Sequence, residues 1–464
     1  MLAGFLACTF TLSASALEIT RFVKPGGTGK GTSWADACGS INQALDAIKT
    51  AGSGTVYIGP GNYTESVYVP DGSKKVNMLG GYSENNMEKP ERDKVFITEG
   101  PYDIRKNVSA AIEVGWRTED IRISCINVVK GNTGIHLRGE NNYADSCNVS
   151  GCKTGIMNEA LSKKIFVRYC TVSNCSSCGM KLWNANIWFS TIKGNSLGMY
   201  LEGCLVWCCQ VVDNVHVSQT RGFASDAGGM RICQTTVHRS TIMNNSCDGN
   251  GGGLYVGGSG YHSFIFQCVI ANNTARDGGG IYADEQIYIE SATIINNKAA
   301  RMGGGICIGK SGWDKASAMT GSILWNNFAN GVLQQYGING NKAFNMTHSA
   351  IQGGGLLPET DVENGIIDVS PQNVDASKPS IALTKVVTFS GSSTTPEQAK
   401  QIHEQDFRIT AQSACIDKGG DFSNVIINTF TNSKLNADRT KDKDFNLRND
   451  GKYDIGAYEF QQSQ

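Results

Sequence analysis

Residues 272–309 read NNTARDGGGIYADEQIYIESATIINNKAARMGGGICIG, and one unit of sequence occurs nearly twice in this stretch. The unit contains a glycine turn, a short strand of alternating apolar residues, a second apolar strand, and an asparagine before the next glycine turn. The same unit recurs along much of the chain, and its last turn glycines are Gly134, Gly155, Gly179, Gly198, Gly229, Gly253, Gly280, Gly305 and Gly331. The interval averages about 25 residues, which is typical of a solenoid.

The content of each repeat predicts the fold class. Every unit carries two short β runs and a turn glycine, and the units contain no amphipathic helix of ordinary length. A parallel β-helix fits these features better than a leucine-rich or helical repeat, and each coil would add one strand spacing, about 4.8 Å. We therefore predict an all-β protein that folds as a right-handed parallel β-helix, a solenoid, with an N-terminal helical cap.

An apolar residue followed three positions later by asparagine recurs in the second strand of the unit. These pairs are Ile192/Asn195, Val211/Asn214, Ile242/Asn245, Ile270/Asn273, Ile294/Asn297 and Leu324/Asn327. Stacked coils would place the asparagines above one another at a bend, where each side-chain amide donates to one neighbour and accepts from the other. We predict a structural asparagine ladder, in preference to a row of ligands for a metal or a sugar.

A small or sulfur-containing side chain lies two residues before the same apolar position. This column consists of Cys147, Cys170, Ser190, Cys209, Ser240, Cys268, Ala292, Ser322 and Ser349. Cys, Ser and Ala replace one another at this position of successive repeats, which indicates that only a small side chain fits where the coils stack in the core. Disulfides between stacked coils remain the alternative if the protein is exported.

Other cysteines and the histidines do not predict a metal site. Cys175 and Cys178 form a CxxC pair, and Cys204, Cys208 and Cys209 follow one coil later. A zinc site would require both groups to converge. The six histidines have no spacing typical of metal ligands.

Composition limits the class of partner and the location. The chain has 464 residues and a formal net charge of −1, so it lacks the basic balance that a nucleic-acid partner requires. Residues 1–16 include a short apolar segment that ends in Ala-Ser-Ala, which predicts a signal peptide, with lipidation of Cys8 as an alternative. No other segment has the length of a membrane span. We expect an exported monomer at the cell surface, in the outer membrane or secreted.

Residues 17–100 are predicted to form the cap and the first coils. Ile41, Ala44, Leu45 and Ile48 lie on one helical face. Strands are predicted at 55–58, 66–69 and 76–79.

The same region carries a family resemblance. GTSW at 31–34, GNYTE at 61–65 and LGGY at 79–82 resemble the amino-terminal cap of bacterial right-handed parallel β-helix surface proteins, which have a pectate-lyase-like fold. Pectinesterases open similarly. Their paired-aspartate and Arg-Pro-Trp motifs are absent from this chain, as are the paired-aspartate motifs of polygalacturonases.

Residues 101–354 are predicted to form the β-helix repeats. Their Asn and Gly-Gly-Gly coils from Asn272 onward resemble the repeat of polymorphic outer membrane proteins. In that family the implied role is adhesion.

The carboxy-terminal part breaks the repeat. Residues 355–405 lose the periodicity and are predicted to be an irregular excursion or linker. Residues 406–464 contain DFRI, SACIDKG and a terminal DIGAYE, and they resemble the choice-of-anchor Q domain of bacterial surface β-helix proteins. Asp442, Asp444 and Asn446 have the spacing of a calcium loop but lack its glycine and distal glutamate, so a solvated turn is predicted and a structural Ca2+ is the alternative.

Strand alternation predicts which side chains face solvent. Since the apolar residue after each turn glycine must face the core, the next residue should face outward, and this outer column is His136, Met157, Lys181, Tyr200, Arg231, Tyr255, Tyr282 and Cys307. Two positions later lies a second outer column, which is Arg138, Glu159, Trp183, Glu202, Cys233, Gly257, Asp284 and Gly309. Rings stack on sugars and cations pair with carboxylates, which predicts a groove for an acidic polysaccharide. The alternative is that these side chains simply cover a flat sheet.

Candidate site residues follow from this face and its loops. The substrate-binding candidates are His136, Arg138, Trp183, Glu202, Tyr282, Asp284, Tyr261 and Trp313. Loop residues are expected to wall the groove on one side, and these are Arg221, Phe223, Tyr261, His262 and Trp313. The β-helix polysaccharide lyases use this face, with Lys or Arg as base and carboxylates that often hold calcium. That resemblance implies Lys181 and Arg231 as base candidates and Tyr200 and Tyr255 as acid candidates. Glu202 is the single acid in the middle of the face.

We therefore predict an exported surface or secreted protein that binds a polysaccharide, or a glycan of a host or cell surface, along this face. One alternative is a polysaccharide lyase or glycoside hydrolase that acts on a uronate-containing glycan. Another is an adhesin or structural surface protein. The sequence leaves open whether the protein is catalytic.

Overall fold

The structure is a computed structural model, and it describes residues 18–88, 90–91, 94–100, 109–217, 227–258, 262–309, 316–339 and 343–353. Within these ranges short strands follow one another in a regular coil, and one α-helix lies near its start. The predicted signal peptide at 1–16, the irregular segment at 355–405, the anchor-type domain at 406–464 and the three residues with calcium-loop spacing lie outside the described residues.

The first sheet contains 13 parallel strands, one from each successive coil. The strands are Ile19–Val23, Gly54–Ile58, Val76–Gly80, Arg122–Ser124, Tyr143–Asp145, Ile165–Arg168, Ala185–Trp188, Leu205–Trp207, Thr236–His238, Ser263–Phe266, Ile287–Glu290, Ser317–Thr320 and Phe344–Thr347. Residues at the same position of adjacent coils are direct neighbours, so Val167 lies beside Ile187 and Ile187 beside Val206. All three are fully buried, and their stack forms one wall of the core.

The second sheet follows the first in each coil. Its strands are Gly61–Thr64, Val95–Thr98, Thr171–Ser173, Thr191–Lys193, Gln210–Val212, Thr241–Met243, Val269–Ala271, Thr293–Ile295, Ile323–Trp325 and Ala350–Ile351. Two long strands, Asn127–Leu137 and Asn148–Asn158, run through this sheet and continue into the next.

The third sheet contains the strands that follow the turn glycines. They are Val67–Val69, Ala110–Val114, Cys178–Trp183, Leu197–Glu202, Met230–Cys233, Leu254–Val256, Ile281–Ala283, Ile306–Ile308 and Tyr336–Ile338, together with the ends of the two long strands. A fourth, smaller sheet lies between the second and third in the later coils. It consists of Val215–His216, Ser246–Cys247, Thr274–Asp277, Lys298–Met302, Phe328–Ala329 and Val332–Leu333.

Pairing between coils is parallel throughout these sheets, apart from the antiparallel contact of Phe328–Ala329 with Val332–Leu333. Apolar side chains from the first three sheets fill the interior as one continuous core. The predicted right-handed parallel β-helix is therefore confirmed.

Left-handed backbone conformations turn the chain at the corners. The residues directly before the ladder asparagines include Asp213, Asn244 and Asn272, whose φ angles are 57°, 57° and 56°. Asn, Asp and Gly adopt this conformation at lower cost than other residues. This explains the Asn-Asn pairs of the repeat, because in Asn272-Asn273 the first residue turns the chain and the second enters the ladder.

The predicted asparagine ladder is confirmed. The Nδ2 atoms of successive ladder residues donate to the Oδ1 of the next at 2.9–3.0 Å, through Asn195, Asn214, Asn245, Asn273, Asn297 and Asn327. Asn327 then donates to Oε1 of Gln335 at 2.8 Å. Each side chain is at most 2% exposed, so these bonds satisfy polar groups that water cannot reach.

The small-residue column forms a second stack. Hydroxyls of Ser190 and Ser240 accept the backbone N–H of Cys170 and Cys209 in the preceding coil, at 3.2 and 3.1 Å. All nine members of the column are buried. The 14 cysteines of the described ranges are free thiols.

The helical cap spans Ile41–Ala51 and buries the four predicted residues. Ser40 caps its N-terminus by accepting from the backbone of Gln43, and Gly52 ends it at a φ of 89°. The carboxylate of Glu65, in the GNYTE motif, accepts from the Ile41 backbone N–H at 2.8 Å and from the Ser40 hydroxyl at 2.8 Å. A carboxylate at this place interacts favourably with the helix dipole.

Among the described residues, no helix has the length and apolar character that crossing a membrane requires.

Candidate functional site

The outer column of the third sheet has the register predicted from the turn glycines. Across adjacent coils His136 pairs with Met157, Met157 with Lys181, Lys181 with Tyr200, and Tyr200 with Arg231. The column continues through Tyr255, Tyr282 and Cys307. Register is fixed because a shift of one residue would turn the apolar residue after each glycine out of the core.

Cations and rings alternate in the middle of this column. The Nζ of Lys181 lies 5.4 Å from the ring centre of Trp183 and 5.9 Å from that of Tyr200. The Arg231 guanidinium lies 5.5 Å from the Tyr200 ring and 5.0 Å from the Tyr255 ring. We call Lys181, Tyr200, Arg231 and Tyr255 the cation–ring ladder. Distances below about 6 Å are those of favourable cation–π contacts.

Part of the outer column is covered, so the expectation that it all faces solvent is wrong. His136 is 3% exposed, Tyr255 5%, Tyr282 7% and Cys307 1%. Lys181 is exposed, and Tyr200 and Arg231 are half-buried. The accessible part of the ladder is therefore Lys181, Tyr200 and Arg231.

The cover comes from residues directly before the turn glycines. Cys178, Leu197 and Ala227 occupy this position and pack in one cluster with Tyr255 and Tyr282, and Met302 of the fourth sheet packs against them. The pKa of the Tyr282 hydroxyl is raised, mainly because the group is buried and to a smaller extent because the Asp284 carboxylate lies nearby. In these coils the apolar residue before the turn glycine, which is Cys178, Leu197, Ala227 or Met302, is the sequence signal for this cover.

Carboxylates of the second outer column are held by neighbouring ring groups. The indole nitrogen of Trp183 donates to Oε2 of Glu202 at 3.1 Å, and the hydroxyl of Tyr255 donates to Oδ2 of Asp284 at 2.7 Å. These bonds fix the rings and partly occupy both carboxylates. The exposed stretch of the ladder therefore presents the cations of Lys181 and Arg231 and the ring of Tyr200 between them.

A cluster of charges lies at the amino-terminal end of the third sheet. Arg138 forms an ion pair with the buried carboxylate of Glu113, and its Nε lies 3.8 Å from Oε1 of Glu159. The same Glu159 oxygen lies 3.0 Å from Nε2 of His136, without the alignment of a hydrogen bond. Burial and the nearby Arg138 charge lower the pKa of His136 to about 3. The imidazole is therefore neutral near pH 7.

Sequence reasoning missed Glu113 and Trp116 in this cluster. The Arg138 guanidinium lies 5.2 Å from the Trp116 ring centre. Glu113 pairs with His136 in the register, which adds one coil to the outer column. Ala111 stands in this coil where later coils have the marker glycine, so the repeat was not recognised. The alternation of inward and outward side chains within AAIEV, at 110–114, could have placed Glu113 on the outer face.

Of the loop residues predicted to line or wall the groove, only His262 lies within the described residues. Tyr261, Trp313, Arg221 and Phe223 lie outside the described residues. His262 contacts the ring of Tyr288 on the first sheet, with centres 5.8 Å apart.

Metal binding has no support from the cysteines. No group of three or more His, Cys, Asp or Glu in the described ranges has an arrangement that could hold a metal ion. Burial raises the pKa of Cys175 to about 11 and that of Cys178 to about 12. A cysteine binds a metal as its thiolate, so both side chains are poor ligands in this environment.

A short part of the chain matches a known family of repeats. The family model of the Chlamydia polymorphic membrane protein repeat matches residues 267–284, within the stretch of Asn and glycine turns. No curated protein sequence matches the chain.

Solved structures with similar coils have low sequence identity. Pectate lyase Pel9A has a TM-score of 0.45 and 12% identity, and the match covers 96% of this chain and 97% of the lyase. The A-module of mannuronan C-5 epimerase AlgE6 from Azotobacter vinelandii has a TM-score of 0.43 and 13% identity, with coverage of 67% and 93%. The Dettilon tailspike protein has a TM-score of 0.35 and 12% identity, with coverage of 72% and 62%. Similarity at this level says nothing about activity.

Proposed function

We propose that this protein is an exported surface or secreted β-helix protein that binds an acidic polysaccharide along the outer face of the third sheet. The cation–ring ladder carries the proposal, because Lys181, Tyr200 and Arg231 occupy one position in three successive coils. The partner would be a free polysaccharide or a glycan of a cell surface.

The chemistry of the ladder suits an acidic sugar chain. Ammonium and guanidinium groups pair with carboxylates, and the accessible part of an aromatic ring can pack against the C–H groups of a sugar. The coils are spaced by about 4.8 Å, so a polymer extended along the axis would meet a binding group at each coil. The apolar segment before residue 17 and the membrane-protein repeat at 267–284 support a place outside the cell.

The test is retention of the purified protein in gels that contain polygalacturonate, alginate or a neutral polysaccharide. We expect retention by an acidic polymer, and we expect it to weaken as salt rises, because exposed charges are screened. Lys181→Ala and Arg231→Ala should each weaken retention. Lys193→Ala, which removes a cation from the second sheet, is the matched control.

Equal retention of Lys181→Ala, Arg231→Ala and the wild type would contradict this site. Absence of retention by every polysaccharide would favour an adhesin that recognises protein, or a structural surface protein.

The second candidate function is a polysaccharide lyase or glycoside hydrolase. It is favoured by the pair of Arg138 and Glu159, since an accessible carboxylate can exchange a proton with a substrate and a guanidinium can neutralise a uronate carboxylate. His136 and Arg138 are largely buried, whereas the Glu159 side chain is 36% exposed.

Lys181 or Arg231 as base and Tyr200 as acid form the other catalytic arrangement. Tyr255 is less suitable as the acid, because it is buried and its hydroxyl donates to Asp284. Release of unsaturated uronates or new reducing ends would establish catalysis. Loss of that product in Glu159→Gln or in Lys181→Ala would identify the arrangement used.

A further inference from the structure

Four aromatic side chains that the sequence did not predict as a group follow one another on the outer surface of the first sheet. Tyr143 stacks on Phe166 with ring centres 4.7 Å apart and planes at 8°. Phe166 then meets Trp188 at 5.8 Å, and Trp188 meets Trp207 at 6.2 Å, both edge to face. All four are half-buried, so part of each ring surface is accessible. We call these four residues the aromatic strip.

A cavity of about 400 Å³ lies at the Tyr143 end of the strip. Two cations, Lys75 and Arg122, and two carboxylates, Glu18 and Asp120, line it together with Tyr143. The Arg122 guanidinium lies 5.4 Å from the Tyr143 ring centre. Because Tyr143 belongs to both, the cavity and the strip form one continuous surface.

The charged groups of the cavity are available to a ligand. Glu18, Lys75 and Arg122 are exposed, and none forms an ion pair within the part of the chain that the structure describes. Asp120 accepts a hydrogen bond from the side-chain amide of Asn141, and a carboxylate has further lone pairs to offer. The cavity therefore presents strong donors and strong acceptors beside the half-buried ring of Tyr143.

We propose that the cavity and the aromatic strip form a second glycan site, which binds a neutral polysaccharide. One pyranose ring would occupy the cavity, and the following rings would lie over Phe166, Trp188 and Trp207. Sugar hydroxyls both donate and accept, so they match a wall of two cations and two carboxylates. A purely apolar partner would leave these groups unpaired.

This site differs from the cation–ring ladder in its balance of charges. The cavity carries as many carboxylates as cations, so a polyanionic chain gains little there, whereas the exposed ladder offers cations and rings. The two surfaces lie on different sheets and share no residue. The inference therefore stands independently of the proposed function.

The experiment measures binding of dextran, laminarin and a galactomannan to the purified protein, by gel retention and by tryptophan fluorescence. Trp188 and Trp207 lie in the strip and should report occupancy. We expect at least one of these neutral polymers to bind, with little dependence on salt because the partner carries no charge. Polygalacturonate serves as the acidic comparison.

Variants can remove the cavity charges without disturbing the backbone. Asp120 has a φ of 59°, a conformation that asparagine tolerates, so Asp120→Asn keeps the corner. Arg122→Gln shortens an exposed side chain. Each should weaken neutral-polymer binding by about tenfold, as expected for loss of one charge-assisted contact. Lys74→Gln is the control, because Lys74 is exposed, pairs with Glu119 and does not line the cavity.

Three results would overturn the proposal. The first is failure of the wild type to bind any of the three neutral polymers. The second is wild-type binding by both Asp120→Asn and Arg122→Gln. The third is a concentration-dependent dimer that Trp188→Ala abolishes, which would make the strip an interface between copies of this chain. Since Lys181→Ala leaves the cavity intact, its effect on acidic polymers separates failure of the ladder from failure of this site.

Discussion

The side-chain amide of Asn245 donates to Oδ1 of Asn273 at 3.0 Å, and its second N–H donates to the Val211 carbonyl at 2.8 Å. Both asparagines have no exposed surface. The Asn273 Oδ1 also accepts the backbone N–H of Asn245 at 2.9 Å. One side chain thus ties successive coils together at a corner where water cannot substitute for it.

Asn245→Ala is therefore expected to lower the free energy of unfolding by about 1–3 kcal/mol, because buried donors and acceptors lose their partners. Chemical denaturation followed by circular dichroism measures the change. The control is Asn174→Gly, at an exposed corner with a φ of 55°, which glycine adopts readily and which should change stability by less than about 0.5 kcal/mol. Equal effects of the two variants would contradict a special role for the ladder.

The sequence predicted the ladder and the strand register because both depend on local patterns that repeat in every coil. Asn272-Asn273 and the turn glycines fix the corner, and alternation then assigns each later residue to a face. Exposure was harder to predict, since Tyr255 is buried in a cluster that it forms with Ala227, Leu197 and other residues of different coils.

Two further parts of the surface escaped prediction for related reasons. Glu113 was missed because its coil lacks the marker glycine. The aromatic strip was missed because its rings lie at two different strand positions. Phe166 and Trp188 become neighbours only when the coils stack.

The Glu65 carboxylate should stabilise the helical cap. It accepts from the backbone N–H groups of Ile41 and Asn42, at 2.8 and 3.3 Å, where the helix dipole favours negative charge. Glu65→Gln is expected to weaken local stability by about 1 kcal/mol. Hydrogen exchange of the peptide that spans Ile41–Ala51 measures this change directly.

The exposed Glu84→Gln variant provides the charge-matched control for the cap. It should leave exchange in the helix unchanged. Equal exchange in wild type and Glu65→Gln would show that Ser40 alone is sufficient to cap the helix.

The reactivity of the cysteine thiols should follow their burial. Burial raises the pKa of Cys204 and Cys209 to about 12, and the thiolate is the reactive form. Both should resist alkylation in the native protein, whereas the half-buried Cys208 and Cys233 should react first. Mass spectrometry of peptides after timed alkylation assigns each rate. Fast native labelling of Cys209 would contradict its place in the core.

The buried imidazole of His136 should make stability depend on pH. Its pKa is lowered from 6.5 to about 3 in the folded protein, so the unfolded chain binds a proton between these values and the folded chain does not. The free energy of unfolding is therefore highest above about pH 6.5, and it declines as the pH falls towards 3. Between about pH 6.5 and pH 5 the wild type should lose about 1.5 kcal/mol more than His136→Gln.

Urea denaturation at both pH values measures that difference, and the variant itself corrects for carboxylates that titrate in the same range. Parallel loss of stability in wild type and His136→Gln would mean that the imidazole is protonated in the folded protein.

Substitutions of Tyr200 separate binding from catalysis on the third sheet. Its ring lies between the cations of Lys181 and Arg231, at 5.9 and 5.5 Å. Tyr200→Phe keeps the ring face and removes the hydroxyl, whereas Tyr200→Ala removes both. If the ladder only binds, Tyr200→Phe should retain an acidic polysaccharide as the wild type does, and Tyr200→Ala should weaken retention by about fivefold to tenfold. If the hydroxyl acts as an acid, Tyr200→Phe should keep retention but abolish release of unsaturated uronates. Loss of retention in Tyr200→Phe would contradict both the binding role and the acid role described here. It would make the hydroxyl, and not the ring, the group that holds the polymer.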